Sequence, residues 1–264
     1  MAGDTPEGDA APFPVWDSAR ATFTLVWRHR FWLLMRALPS TILVGVTFII
    51  TFPRIGVYAL WEIALFLISA LVIANMMVSC HRLIVLDDPC RRFGDFLPRI
   101  HDLTYLGVWL LLTIAKWILD AVGAFLGSLV ELAGHVFNLG VAILFFIALV
   151  RLVVLFPLTA IQGKTPFHTA WKLSTGHVER LIGFCAIVGT ALGLATVAAG
   201  AGIFYSQKWL VENLALEDLP KILVDLAATL PFFLGALFLM LVLESVAVAQ
   251  SVAYRRLSGQ EPMN

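Results

Sequence analysis

The chain has 264 residues, of which 60% are hydrophobic and 14% charged, and its formal net charge is +0. Its mean hydropathy is +0.89. A water-facing surface takes roughly 25% charged residues, so the composition excludes an ordinary soluble domain and names the lipid bilayer as solvent. The lack of any basic excess also excludes a nucleic-acid partner, because phosphates demand clustered Lys and Arg.

The first segment, MAGDTPEGDAAPFP, is acidic and Pro-containing, without the basic and apolar regions of a cleavable signal peptide. Residues 1–16 are expected to be a disordered lead, residues 17–257 a single membrane domain, and residues 258–264 a short tail. The fold class is all-α: six transmembrane helices plus short cytoplasmic amphipathic interfacial helices. A hydrocarbon core about 30 Å thick takes roughly 20 apolar helical residues. Six stretches qualify: Leu38 to Phe52, Tyr58 to Cys80, Thr104 to Gly127, Leu139 to Phe156, Leu181 to Tyr205 and Pro231 to Tyr254. The first is short; it can begin near Phe31 if Arg36 snorkels to the headgroups.

Charge orients these spans. With the N-terminus inside, the cytoplasmic side receives Arg20, Arg28, Arg30 and Arg36, then Arg82, Arg91, Arg92 and Arg99, then Lys164, Lys172 and Arg180, and finally Arg255 and Arg256. The opposite side receives Arg54, Lys208 and Lys221. This asymmetry follows the positive-inside rule and places both termini in the cytoplasm. Tyr58, Tyr105, Tyr205 and Tyr254 all fall at span ends, where an aromatic ring can be half dry. A basic, aromatic stretch precedes each outward span: Asp17 to Arg36, Arg91 to Asp102 and Thr165 to Arg180. These are read as interfacial helices on the anionic headgroups of the cytoplasmic leaflet.

Gly163-Lys164-Thr165 ends like a phosphate-binding loop, but the glycine such a loop needs five positions earlier is Leu158. The plainer reading is a short helix with Thr165 as its N-cap and Pro166 at its first position, stopping at Gly176. Arg151 in the fourth span, Pro157 at its end and the Ala170-Trp171-x-x-Ser174-x-Gly176 helix, taken with His81-Arg82 and Tyr254-Arg255-Arg256, resemble a group of uncharacterised bacterial inner-membrane proteins. That group includes the YciC-type proteins and the membrane domain attached to some glycerophosphoryl diester phosphodiesterases. The resemblance implies a six-helix fold in the bacterial inner (plasma) membrane and no particular activity.

Ionisable side chains inside a span cost about 2.5–3.5 kcal/mol on insertion scales, so each needs a partner or a task. The candidates for an intramembrane polar site are Arg151, Glu244, Lys116, Asp120, Glu62 and Asn75. Depth arithmetic pairs Arg151 with Glu244 between the fourth and sixth spans. Lys116 and Asp120 share one helix face, with Glu62 near their level. Asn75 and Ser79 either extend a polar lining or hydrogen-bond a neighbouring helix. Small-residue faces at Gly123 and Gly127, and from Cys185 through Gly189, Gly193, Thr196 and Gly200, suit packing within the monomer or against a homodimer or membrane-complex partner. His29, His81, His101, His168 and His177 are assigned to the cytoplasmic interface and His135 to an outer loop. Cys80 and Cys90 are assigned to the cytoplasm as reduced thiols and Cys185 to a span.

No catalytic set, cofactor or metal site is proposed. The leading expectation is a non-enzymatic accessory or scaffold protein. The alternative is a transporter or channel-like protein for a small polar solute or lipid headgroup, working through Arg151 and Glu244. A lipid enzyme has only the scattered His81, Asp87, Asp88 and Asp95 as material.

Overall fold

The computed structural model describes residues 13–51, 60–88, 99–213 and 221–260, without the side chains of 48–51, 60–62, 207, 210–213 and 221–228. The chain is all-helical, and no strand occurs among the described residues. In order the helices are α1 Val15–Arg28, α2 Arg30–Thr51, α3 Leu60–Leu86, α4 Ile100–Leu129, α5 Glu131–Arg151, α6 Leu155–Gln162, α7 Phe167–Ser174, α8 Val178–Asn213 and α9 Lys221–Leu257. Five of them contain segments long and apolar enough to cross a membrane: Ile63–Leu86, Ile100–Leu129, Glu131–Arg151, Val178–Ser206 and Thr229–Leu257. The chain is a multi-pass membrane protein by the length and composition of these helices.

Helix α9 is the central post and packs against α1, α2, α3, α6 and α8. Its buried residues are small where neighbours crowd it, with Ala247, Ser251 and Ala253 all sealed. The core gathers at one end of the bundle, where Phe184, Leu181, Val154, Leu155, Ile84, Val248 and Met240 are closed off. The far halves of α4, α5 and α8 leave Trp117, Phe125, Leu139, Leu144, Leu194 and Val197 exposed. In water these side chains would be an aggregation hazard; in hydrocarbon they are ordinary lipid contacts.

Several boundaries differ from the sequence reading. Phe13 and Val15–Trp16 fall inside the stretch expected to be a lead, yet the Phe13 ring is buried edge-on against Phe184 at 5.7 Å between centroids and Val15 opens α1. The expected outer loop with His135 is helix: α4 and α5 meet at Val130, an extended residue at φ −145°. The fourth span ends at Arg151 rather than Phe156. Pro157 supplies the reason, since its ring clashes with the carbonyl four residues back and it has no N–H to donate. The helix therefore breaks over 152–154, and Pro157 sits in the first turn of α6.

Gly163, at φ 64°, ends α6 in the left-handed conformation that favours glycine. Gly163-Lys164-Thr165 is thus a turn between two helices. Helix α7 starts at Phe167 with Pro166 at its N-cap, and Gly176 at φ 81° closes the turn that follows it. The stretch Arg91 to Asp102 lies outside the described residues up to position 98, as do Cys90 and Arg54.

The α4–α5 hairpin is locked by glycine. A Cβ on Gly134 would collide with the Gly127 backbone, and one on Gly123 with the Asn138 side chain. A Cβ on Gly189, Gly193 or Gly200 of α8 would meet nothing within 4 Å. Gly134→Ala is therefore expected to cost about 1–3 kcal/mol through overpacking, while Gly193→Ala leaves the monomer unchanged; thermal unfolding in detergent by fluorescence-detected size exclusion reads both. Equal tolerance at the two positions would refute this packing of α4 on α5.

Candidate functional site

Helix α3 carries a ladder of polar side chains into an apolar bundle, and most meet a partner on a different helix. Ser69 and Thr47 of α2 share a hydrogen bond at 3.1 Å. The Asn75 amide donates to Asp102 Oδ2 at 3.0 Å, and the Arg99 backbone N–H donates to the same oxygen at 2.7 Å. Asp102 thereby caps the start of α4 and ties it to α3. Arg36 Nη2 of α2 donates to Ser79 Oγ at 3.1 Å. His81 Nδ1 shares a hydrogen bond with Ser251 Oγ of α9 at 2.8 Å, and its Nε2 faces the Tyr105 hydroxyl of α4 at 3.4 Å. The Tyr105 ring lies 5.1 Å from that of Phe156 on α6. At the end of α3, Arg255 Nη1 donates to the Ile84 carbonyl at 2.9 Å.

The expected Arg151–Glu244 pair does not form. Arg151 is the last residue of α5, its positive charge at the helix C-terminus where the backbone dipole favours it. Its guanidinium lies over the Trp171 ring of α7, 4.4 Å from the centroid. Glu244 is 0% exposed, and neither carboxylate oxygen has a hydrogen-bond partner. Arg36 of α2 is only 4% exposed. Arg36 points into the bundle instead of snorkelling. The depth arithmetic failed because it ran the fourth helix straight through Pro157.

Lys116 and Asp120 do pair, at 2.6 Å along one face of α4, and both remain accessible on the outside of the monomer. The side chain of Glu62 lies outside the described residues. Asn75 binds a neighbouring helix. His81, expected at the interface, is sealed, and Cys80, expected in the cytoplasm, is buried inside the Ile63–Leu86 span. His29, at the α1–α2 joint, is held below its ordinary pKa by burial and by Arg28, with Asp87 pulling the other way.

Sequence reasoning missed Arg36, His81 and Ser251 as members of the polar seam. His81 and Ser251 stand 170 residues apart, so no local pattern links them. No space large enough for a water reaches Glu244, and among the described residues no group of His, Cys, Asp and Glu is placed to hold a metal. The arrangement can fix helix register; it offers no open polar cavity at Glu244. Comparison with protein-family models, curated proteins and solved structures finds no match to this chain.

A buried polar group without a hydrogen-bond partner costs about 1–3 kcal/mol, and both Glu244 carboxyl oxygens are of that kind. Glu244→Leu is therefore expected to leave stability unchanged or raise it, whereas Ser79→Ala, which removes the acceptor of Arg36 Nη2, is expected to cost about 1–3 kcal/mol. Unfolding free energies of the two variants form the test, and a large loss in Glu244→Leu with none in Ser79→Ala would refute this assignment.

Proposed function

We propose that the chain is a non-enzymatic accessory or scaffold protein of the bacterial inner membrane, with six spans and both termini in the cytoplasm. The observation that carries this reading is the closed polar seam: side chains that could line a path bind adjacent helices, and Glu244 is shut off from water. The transporter reading relied on Arg151 and Glu244 acting together, and their separation gives it no support. The likeness to the YciC-type proteins agrees with a membrane scaffold but adds no chemistry to it.

Helix α2 serves as the sixth span. Its 22 residues extend about 33 Å at roughly 1.5 Å per residue, enough for the hydrocarbon core, and it packs along α9 and α3. Arg36 is accommodated there because it is buried in the bundle and donates to Ser79 instead of facing lipid. Helix α1 buries Ser18, Ala19, Thr22 and Leu25 and exposes Trp16 and Trp27, the pattern of a helix lying in the interface. Lys172 and Arg180 on one side, against Lys208 on the other, orient the bundle with α1 and α7 inside.

Single cysteines at Lys172 and Lys208, introduced after removal of the native thiols, report the orientation in intact cells. A membrane-impermeant maleimide is expected to label the Lys208 position from outside and the Lys172 position only after lysis; the reverse pattern would overturn the topology. Purified protein in sealed vesicles carrying pH- and voltage-sensitive dyes is expected to leave both signals at the protein-free baseline. A flux abolished by Glu244→Gln would replace the scaffold reading with a carrier.

A further inference from the structure

Beside the end of α9 the surface folds inward into a cleft of about 270 Å³ between α1 and α9. Arg20 and Arg28 of α1 form one wall and Arg255 and Arg256 of α9 the other, with Asp17 as the single acidic side chain among the described residues. In a chain with no net charge, four arginines around one small cleft are a strong local excess. Its floor is apolar, from Ala21, Leu25 and Val252. Arg255 is braced from behind by its bond to the Ile84 carbonyl, which holds one wall rigidly on α3.

The faces of α1 identify the kind of anion. At 100° per residue, Trp16, Phe23 and Trp27 share one exposed stripe, next to the side that carries Arg20, Thr24 and Arg28. Trp16 is 75% and Trp27 70% exposed. Open aromatic rings beside a guanidinium cluster match the boundary of a phospholipid, where the phosphate meets the glycerol and the first methylenes. Guanidinium forks bind phosphate oxygens in pairs, with more geometric definition than lysine provides. A soluble anion would gain nothing from the aromatic stripe.

We infer that the α1–α9 cleft is a binding site for the phosphate-bearing headgroup of an anionic phospholipid from the adjoining leaflet, with Arg20, Arg28, Arg255 and Arg256 as its ligands. The inference rests on the proposed placement of α1 at the membrane surface. It goes beyond a diffuse attraction between basic helices and an anionic leaflet, since it names a site that holds one headgroup against two helices. An occupied cleft also pins α1 to the last turn of α9.

The full chain is to be placed in nanodiscs of phosphatidylcholine with a titrated fraction of phosphatidylglycerol, and retained lipid read by native mass spectrometry. Arg20→Gln with Arg256→Gln is compared with Lys172→Gln plus Arg180→Gln, which removes the same charge elsewhere on the proposed cytoplasmic side. Phosphatidylglycerol retention is expected to fall about fivefold per cleft arginine removed, the factor one charge near an anionic surface is worth, and to survive in the control. Equal loss in both variants, or loss in neither, overturns the site. Glycerophosphate added to the phosphatidylglycerol-containing discs separates the soluble source: displacement of the retained phosphatidylglycerol by millimolar glycerophosphate would mean that the cleft reads a free anion. An environment-sensitive fluorophore at Phe23→Cys, in a background without other thiols, tests the premise separately. A water-like emission in vesicles refutes the surface position of α1, whereas a blue-shifted emission without headgroup selectivity refutes the cleft alone.

Discussion

In a bilayer a polar side chain inside a bundle has no water to fall back on, so it binds another helix or becomes a cost. That constraint organises this protein through α3. Its Ser69 and Ser79 answer to α2, Asn75 to α4, and His81 to α9 and α4 together. One interhelical hydrogen bond contributes only about 0.6 kcal/mol on average. The set does more through geometry than through summed energy, because sliding α3 by one turn past any neighbour would break several bonds at once. Register is thereby chosen among helices whose apolar surfaces would slide with little preference.

The same logic explains where the core sits. Beyond Ser69 toward the far side the described bundle has few cross-helix polar contacts, and there α4, α5 and α8 turn large side chains outward. Association at that end falls to close backbone packing. Gly123, Gly127 and Gly134 bring α4 and α5 together, with Asn138 seated on Gly123 and the Gly127 and Gly134 backbones face to face. The protein thus uses two devices for helix association, polar fasteners at one end and glycine contact at the other, and each appears where the other is sparse.

Much of the fold was legible from hydropathy alone, since a run such as Leu60–Leu86 without proline or glycine allows little besides a long buried helix. The Lys116–Asp120 pair was legible because a four-residue spacing is a local rule. Arg151 and Glu244 were not, because their match needed a continuous helix through Val153 to Gln162, and one proline ended it. Arg36 was assigned to the headgroups by its place at the start of a short apolar run. Its bond to Ser79 on α3 depends on how α2 rotates, which no spacing within α2 encodes. His81 and Ser251 show the same limit at greater distance: each looks like a lone polar residue near a helix end until α3 and α9 are set side by side.

The two buried or half-buried charge sets solve the problem of charge in lipid in opposite ways. Lys116 and Asp120 neutralise each other within one turn of α4, so the pair needs no neighbour and α4 can keep an exposed face. Arg36 is instead held across helices, its guanidinium donating to Ser79 of α3, while packing closes off the Glu244 carboxyl on α9. A self-contained pair carries no information about assembly, because it is equally satisfied in an isolated helix. A bond divided between α2 and α3 forms only when the two helices stand in register, which makes it a check on their assembly. The bond between His81 of α3 and Ser251 places a second such check on α9, the helix that touches α1, α2, α3, α6 and α8.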